Sequence, residues 1–258
     1  MINHKDTQKL RILLSNDDGI HAPGLKTLEQ IAQTLTEDIW VVAPATEQSG
    51  AGHSLTLHRP LRARQHSERH FSVEGTPTDC ILMAIEELIE GRRPDLILSG
   101  VNNGSNVGDD VTYSGTIAAA MEGTSFGIPS IALSQAGAIG HPIKWQTALD
   151  HAPDIIRKLI AVEWPRNVLI NLNFPDVISK SVEEVIVVPQ GFRLPYKSLV
   201  KSKDPRGNPY YWLGPIPESL DLTEDTDLKA MQDGKISVTP LYLDLTHYET
   251  LKNLKKIF

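Results

Sequence analysis

The chain has 258 residues, 40% hydrophobic, 22% charged and 6% aromatic, which fits one large globular domain and excludes disorder, collagen and coiled coil. Its 25 basic and 32 acidic residues leave a formal charge of −7, which argues against binding a nucleic-acid polymer through its backbone but leaves room for a small anion in a local site. A single cysteine, Cys80, rules out an internal disulfide; with a polar leading stretch (MINHKDTQKLR) and no apolar run that would span a membrane, this points to the cytoplasm.

From Arg11 onward, short apolar runs alternate with amphipathic stretches, the pattern of βα units that build a parallel sheet covered on both faces. Strands are predicted at residues 12–14, 40–43, 96–98 and 130–133. Helices are predicted over 25–35, with Leu25, Leu28, Ile31, Ala32 and Leu35 on one stripe, and over 80–89, with Ile81, Ala84, Ile85 and Leu88; Gly91 reads as the stop. Residues 54–74, SLTLHRPLRARQHSERHFSVE, alternate around a polar middle and read as a hairpin inserted beside the sheet. Beyond Pro175 the composition changes, and the Pro, Gly and Tyr-rich stretch 189–217 reads as a protruding β excursion before a last strand at 236–241 and a short terminal helix. So long and weakly patterned a segment is uncommon in a compact domain unless it binds something, such as another subunit. The expected fold is therefore α/β: a Rossmann-like, mostly parallel sheet with helices on both faces, an inserted β-hairpin and a protruding C-terminal β region. It forms one domain over 1–258, with a core at about 11–188 and 235–246 and a protruding segment at about 189–234.

The chemistry gathers in loops that follow the strands, where open α/β sheets bind their ligands. Ser15-Asn16-Asp17-Asp18-Gly19 follows the first strand. Two adjacent carboxylates repel one another, and a hard divalent cation resolves the conflict, so Asp17 and Asp18 are candidate ligands for Mg²⁺ or Mn²⁺. The competing reading is a plain Asp-Asp-Gly turn or helix cap. After the second strand, residues 43–54 carry Ser49 beside Gly50, small enough to approach a metal or a phosphate. After the third, residues 99–110 hold three asparagines, Asn102, Asn103 and Asn106, whose amides offer oxygen to a metal and N–H to a phosphate. Tyr113-Ser114-Gly115-Thr116 then leads into a strong helix former at 117–122, and a helix N-terminus flanked by hydroxyls is an anion site, or simply a cap.

Other patterns lose their context. Gly123-Thr124-Ser125-Phe126-Gly127 spells a nucleophile elbow but lies between a helix and a strand, the reverse of the required order. The glycines at 100, 104 and 108 are misplaced for a dinucleotide fingerprint, and no Walker A pattern is present. His21 and His53 lie near the loops, either as proton donors or as hydrogen-bonding spectators.

The segments SNDDGIHAPG, VVAPATEQSGAGHSLTL, GTPTDC, PDLILSGVNNGSNVGDDVTYSGTIAAAMEG and GIPSIALS, with DPRGNPYYWLG and ISVTPLYLDLT, resemble in order the SurE survival-protein phosphatases, metal-dependent nucleotidases acting on nucleoside monophosphates. The resemblance covers almost the whole chain. It implies that Asp17, Asp18, Ser49 and Asn102 hold one divalent ion per subunit, Mg²⁺ or Mn²⁺, and that Asn106, Ser114, Gly115 and Thr116 hold the phosphate. It also implies a homodimer or homotetramer assembled through the protruding segment. Residues 189–203 fit the family less well than their surroundings, and Asn103 receives no role. The implied reaction is hydrolysis of nucleoside 5′-monophosphates, extending to 3′-monophosphates and short polyphosphate. The alternative is a non-catalytic nucleotide-binding or sensing module on the same fold.

Overall fold

The computed structural model describes residues 10–138, 140–163, 165–192, 199–213 and 225–258. A nine-stranded sheet forms the centre. In chain order its strands are β1 (Arg11–Ser15), β2 (Asp38–Pro44), β3 (Ala63–Ser67), β4 (His70–Val73), β5 (Leu96–Asn103), β6 (Ser130–Gln135), β7 (Val168–Phe174), β8 (Val185–Val187) and β11 (Ile236–Tyr242). Their spatial order is β3-β4-β2-β1-β5-β6-β7-β11-β8. The six strands from β4 to β7 run parallel; β3 is antiparallel to β4, and β11 is antiparallel to β7. The chain winds outward from β1 in one direction to β2 and in the other to β5, so the crevice between β1 and β5 is the switch point of the fold.

The predicted strands are all present, and their unbroken apolar character follows from burial on both faces. Ile12 and Leu14 face a core that includes Leu25, Leu28, Ile31 and Ile156, supplied by α1 (Pro23–Gln33) and α4 (Trp145–Ile160). Leu13 and Ile97 face the opposite core with Ile81, Ala84 and Ala119, from α2 (Pro77–Met83), the π-helical turn Ala84–Leu88 that continues it, and α3 (Gly115–Ser125). Replacing any one of these buried leucines or isoleucines by alanine costs about 2–5 kcal/mol. The predicted helix at 25–35 starts earlier, because Pro23 fits the first turn where no N–H is needed.

Three sequence expectations are corrected. The inserted hairpin does not begin at Ser54: residues 54–62 form no strand, and the ribbon is β3–β4, which extends the edge of the main sheet next to β2. The helix expected to reach Ile89 ends at Leu88, where Ile89 becomes extended. The segment at 189–234 does not protrude throughout: α5 (Asp227–Gln232) buries Leu228 and Ala230 next to β11. Within that segment, residues 193–198 and 214–224 lie outside the described residues, and β9 (Leu199–Lys203) with β10 (Pro209–Leu213) forms a separate two-stranded ribbon. The short terminal helix is α6 (Tyr248–Leu254). The pseudo-elbow at 123–127 spans the end of α3 and the approach to β6, as its sequence context required.

Candidate metal and phosphate site

Asp17 and Asp18 leave the carboxyl end of β1 in a turn shaped by Asn16. The Asn16 amide nitrogen donates to the Gly19 carbonyl at 3.0 Å, and the Gly19 N–H donates back to Asn16 Oδ1 at 3.2 Å. The loop after β2 folds onto this turn: the Gln48 N–H donates to the Asp17 carbonyl at 2.7 Å, and Ile20 N–H to Pro44 at 2.9 Å. From the other side, a register shift between β5 and β6 after Ser99 brings the Asn103 N–H to Asp18 Oδ2 at 3.2 Å. The fourth contribution is α3, whose Thr116 hydroxyl donates to Asp17 Oδ1. Loops from β1, β2 and β5 and the N-terminus of α3 therefore converge at the switch point.

Gly115 makes that convergence possible. A Cβ there would lie 2.6 Å from the Asp17 Cβ and 3.0 Å from both Asp17 Oδ2 and Pro77 Cγ, so the start of α3 can press against Asp17 only where the side chain is absent. Ser114 caps the helix, its hydroxyl oxygen accepting from Ile117 N–H at 3.1 Å, which leaves the hydroxyl proton available to donate.

The electrostatics are unusual. Asp17 is almost fully buried, and burial together with the neighbouring Asp18 charge pushes its carboxyl up to about 6, against the opposing pull of the Thr116 hydroxyl and amide. Burial, and the Glu47 charge, also raise Asp18, opposed by the Asn103 amide. Among the described residues neither carboxylate has an ion-pair partner.

Asn106 sits deeper. Its N–H donates to Asn173 Oδ1 at 2.8 Å, its carbonyl accepts from Asn171 Nδ2 at 2.8 Å and Asn173 Nδ2 at 3.0 Å, and its own Nδ2 donates to Ser134 Oγ at 2.8 Å. One proton of the Asn106 amide remains. Asn102 is partly buried and donates to the Gly104 carbonyl at 2.8 Å, which leaves its Oδ1 as an acceptor. Ser49 is exposed at the rim, and its hydroxyl donates to Glu47 Oε1 at 3.0 Å.

Hydrogen bonds tie Asp17 to Thr116 and Asp18 to Asn103, with Gly115 against Asp17, whereas the side chains of Ser49, Asn102, Asn106 and Ser114 bond to Glu47, Gly104, Ser134 and Ile117 instead of to the acidic pair. Two neighbours stay apart: His53 Nε2 lies 2.9 Å from Glu122, and the exposed His21 stacks edge-on with His66. Asn16, Asn171 and Asn173 escaped the sequence reading, although two asparagines inside the strand VLINLNF are a signal, since strands disfavour asparagine. The GTPTDC motif turns out to hold a helix cap: the Thr76 N–H donates to Asp79 Oδ2 at 2.8 Å and the Asp79 N–H to Thr76 Oγ1 at 3.2 Å. Among the described residues no group of three or more His, Cys, Asp or Glu is placed to hold a metal, so any ion here relies on two carboxylates and neutral oxygens.

An open α/β sheet with an acidic pair at its switch point, Asp17 buried and Asp18 partly so, beside a helix N-terminus, defines a Rossmann-like protein with its candidate site in that crevice. The model of the survival protein SurE family matches residues 12–196. A protein of Paramagnetospirillum magneticum named 5′-nucleotidase SurE is 54% identical over 98% of this chain and 97% of its own length. One of the same name from Parvibaculum lavamentivorans is 56% identical over 96% and 91%. The crystal structure of the SurE protein from Aquifex aeolicus superposes with a TM-score of 0.83 at 38% identity, covering 96% of this chain and 99% of that one. The chain belongs to the SurE family.

Proposed function

We propose that this protein is a 5′-nucleotidase that hydrolyses nucleoside 5′-monophosphates to nucleoside and inorganic phosphate with one divalent ion, Mg²⁺ or Mn²⁺, per chain. The observation that carries the reading is the Asp17–Asp18 pair at a helix N-terminus, Asp17 buried and Asp18 partly so, both raised, with no cationic side chain paired to either among the described residues. The donor set suits a hard divalent cation, because the groups on offer are carboxylate, amide and hydroxyl oxygens. Asp17, Asp18, Ser49 and Asn102 would hold the ion, the Ser49 hydroxyl turning from Glu47. When bound, such an ion polarises a phosphoryl oxygen and lowers the pKa of water.

The remaining steps belong to the chain's own residues. The Ser114 hydroxyl, the Gly115 N–H and the second Asn106 amide proton offer donors to the phosphoryl oxygens, whose charge grows in the transition state; such donors are each worth about 3 kcal/mol. The Asp18 oxygen not bonded to Asn103 orients the attacking water and accepts its proton as the oxygen–phosphorus bond forms, and hands a proton to the nucleoside oxygen as the ester bond breaks, so that nucleoside and phosphate leave. Asp17 is held for its part by Thr116, so Thr116 acts through Asp17 and its hydroxyl is not free for the phosphate. 3′-Monophosphates and short polyphosphate present the same terminal phosphoryl group and are the secondary substrates. The exposed Tyr211, Trp212 and Leu213 of the β9–β10 ribbon suit it for assembling a homodimer or homotetramer. Among the described residues no helix is long and apolar enough to cross a membrane, and the free, buried Cys80 suits a reducing cytoplasm.

Phosphate release from AMP, GMP and a 3′-monophosphate, with Mn²⁺, Mg²⁺ or excess chelator, tests the reading. Robust release that chelator abolishes supports it. Binding of AMP without release would make the protein a nucleotide sensor instead.

A further inference from the structure

Besides Asp79, which caps α2, another buried carboxylate lies outside the site, on α5. Asp227 is fully buried and its side chain accepts three main-chain N–H groups: Gly108 at 2.9 Å on Oδ2, and Gly191 and Leu228, both at 2.8 Å, on Oδ1. Its own N–H donates to the Pro189 carbonyl at 3.0 Å. Gly108 is 119 residues away along the chain and Gly191 36, so one side chain joins three distant segments. The packing is tight. A Cβ on Gly108 would meet the Gly191 carbonyl and Leu228 at 3.3 Å, and one on Gly191 would meet Leu228 and Thr226 at 2.9 Å.

Gly108 stands two residues beyond Asn106, with the buried Val107 between them. The main chain of Asn106 is pinned on one side by Asn171 and Asn173 of β7, and the chain just after it is pinned on the other by Asp227. A carboxylate is the short side chain that offers two acceptors and no donor, which is what inward-pointing N–H groups from separate segments require.

We propose that Asp227 is a positioning residue for the phosphate site: by clamping Gly108 it fixes the Asn106 amide and so sets the affinity for the phosphoryl group. The proposal rests on the nucleotidase reading and deepens it.

The test compares wild type with Asp227→Asn, which keeps the volume but replaces one acceptor with a donor facing an N–H. Ile156→Val, on the core face of α4 and outside the site, serves as a control for lost stability. The readouts are the inhibition constant of inorganic phosphate, KM and kcat for AMP, and Mn²⁺ affinity by calorimetry without substrate. The expected result is a rise of about tenfold or more in KM and in the phosphate constant, with Mn²⁺ affinity within twofold of wild type and no such split in Ile156→Val. Unchanged phosphate inhibition in a folded Asp227→Asn variant, or equal losses of phosphate and Mn²⁺ affinity, would overturn the clamp. If the variant does not fold, hydrogen exchange on the wild-type enzyme decides. Adding phosphate to the Mn²⁺-loaded protein should slow the Gly191 and Leu228 amides, because coupling between sites is reciprocal, and unaltered exchange there overturns the proposal. An inactive wild type would instead sink the nucleotidase reading beneath it.

Discussion

The two ends of the central sheet treat charge in opposite ways. At the amino end, Asp38 accepts from Arg11 Nε at 2.9 Å and from Arg69 at 3.1 Å, with Arg92 3.5 Å away. Asp95 accepts the Arg11 N–H at 2.8 Å and pairs with Arg92, and both Arg11 and Arg69 lie over the Trp40 ring. Every carboxylate in that cluster has a guanidinium. At the carboxyl end, Asp17 and Asp18 are side by side, Asp17 buried more deeply than Asp38 or Asp95, yet among the described residues no cationic side chain pairs with either. The contrast is what the proposed function uses: a cation from solution would be the partner of the unmet charge at Asp17.

The sharpest way to break the comparison is to remove the charge at each end in turn. Asp17→Asn should lower phosphate release by about 10³-fold or more while the fold persists, because the proposed function makes that carboxylate a metal ligand and it has no ion-pair partner among the described residues. Circular dichroism and a phosphate assay on the same sample read both halves of that statement. Gly115→Ala should come next, lowering kcat/KM by about 10–100-fold, since the added methyl group displaces Asp17 by contact alone. At the opposite end Asp38→Ala should do the reverse. It removes the carboxylate partner of Arg11 Nε, whose guanidinium keeps only the Glu90 and Arg92 carbonyls, and should cost about 1–3 kcal/mol of stability by denaturant unfolding, with kcat/KM within twofold of wild type. The smallest effect belongs to Asn103→Ala. Its main-chain N–H, which survives the substitution, is what donates to Asp18, and its side chain is exposed, so steady-state kinetics should change by less than about twofold.

Much of this arrangement was legible in the residues. Runs such as Arg-Ile-Leu-Leu at β1 can be buried on both faces only in a covered parallel sheet, and the Asp-Asp pair after it stands out because adjacent buried carboxylates conflict. What stayed hidden depends on contacts between distant segments. The α4 helix carries Pro153 in its interior, which masks a periodic stripe that includes Ala148, Ala152, Ile155 and Ile156. The hairpin boundary was misplaced because residues 54–62 alternate without pairing; Thr56 N–H donates to Asp79 Oδ1 at 3.1 Å, so the loop is tied to α2 instead of to a strand. No local pattern tells that the Thr116 hydroxyl turns toward Asp17, or that Asn106 is held by β7, since both follow from tertiary packing.

The most direct measurement is the pH dependence of thermal stability for wild type minus Asp17→Asn, first without metal and then with Mn²⁺. The folded carboxyl is raised to about 6 from its ordinary 3.8, so the folded state binds the proton more tightly than the unfolded chain. The carboxylate therefore destabilises the metal-free protein progressively as pH climbs through that window: the difference should be smallest near pH 4 and most unfavourable to wild type above pH 6. Mn²⁺ at pH 7 should raise the melting temperature of wild type and leave the variant where it was. A metal-free difference that favours wild type as pH rises, or equal stabilisation of both proteins by Mn²⁺, would contradict the account.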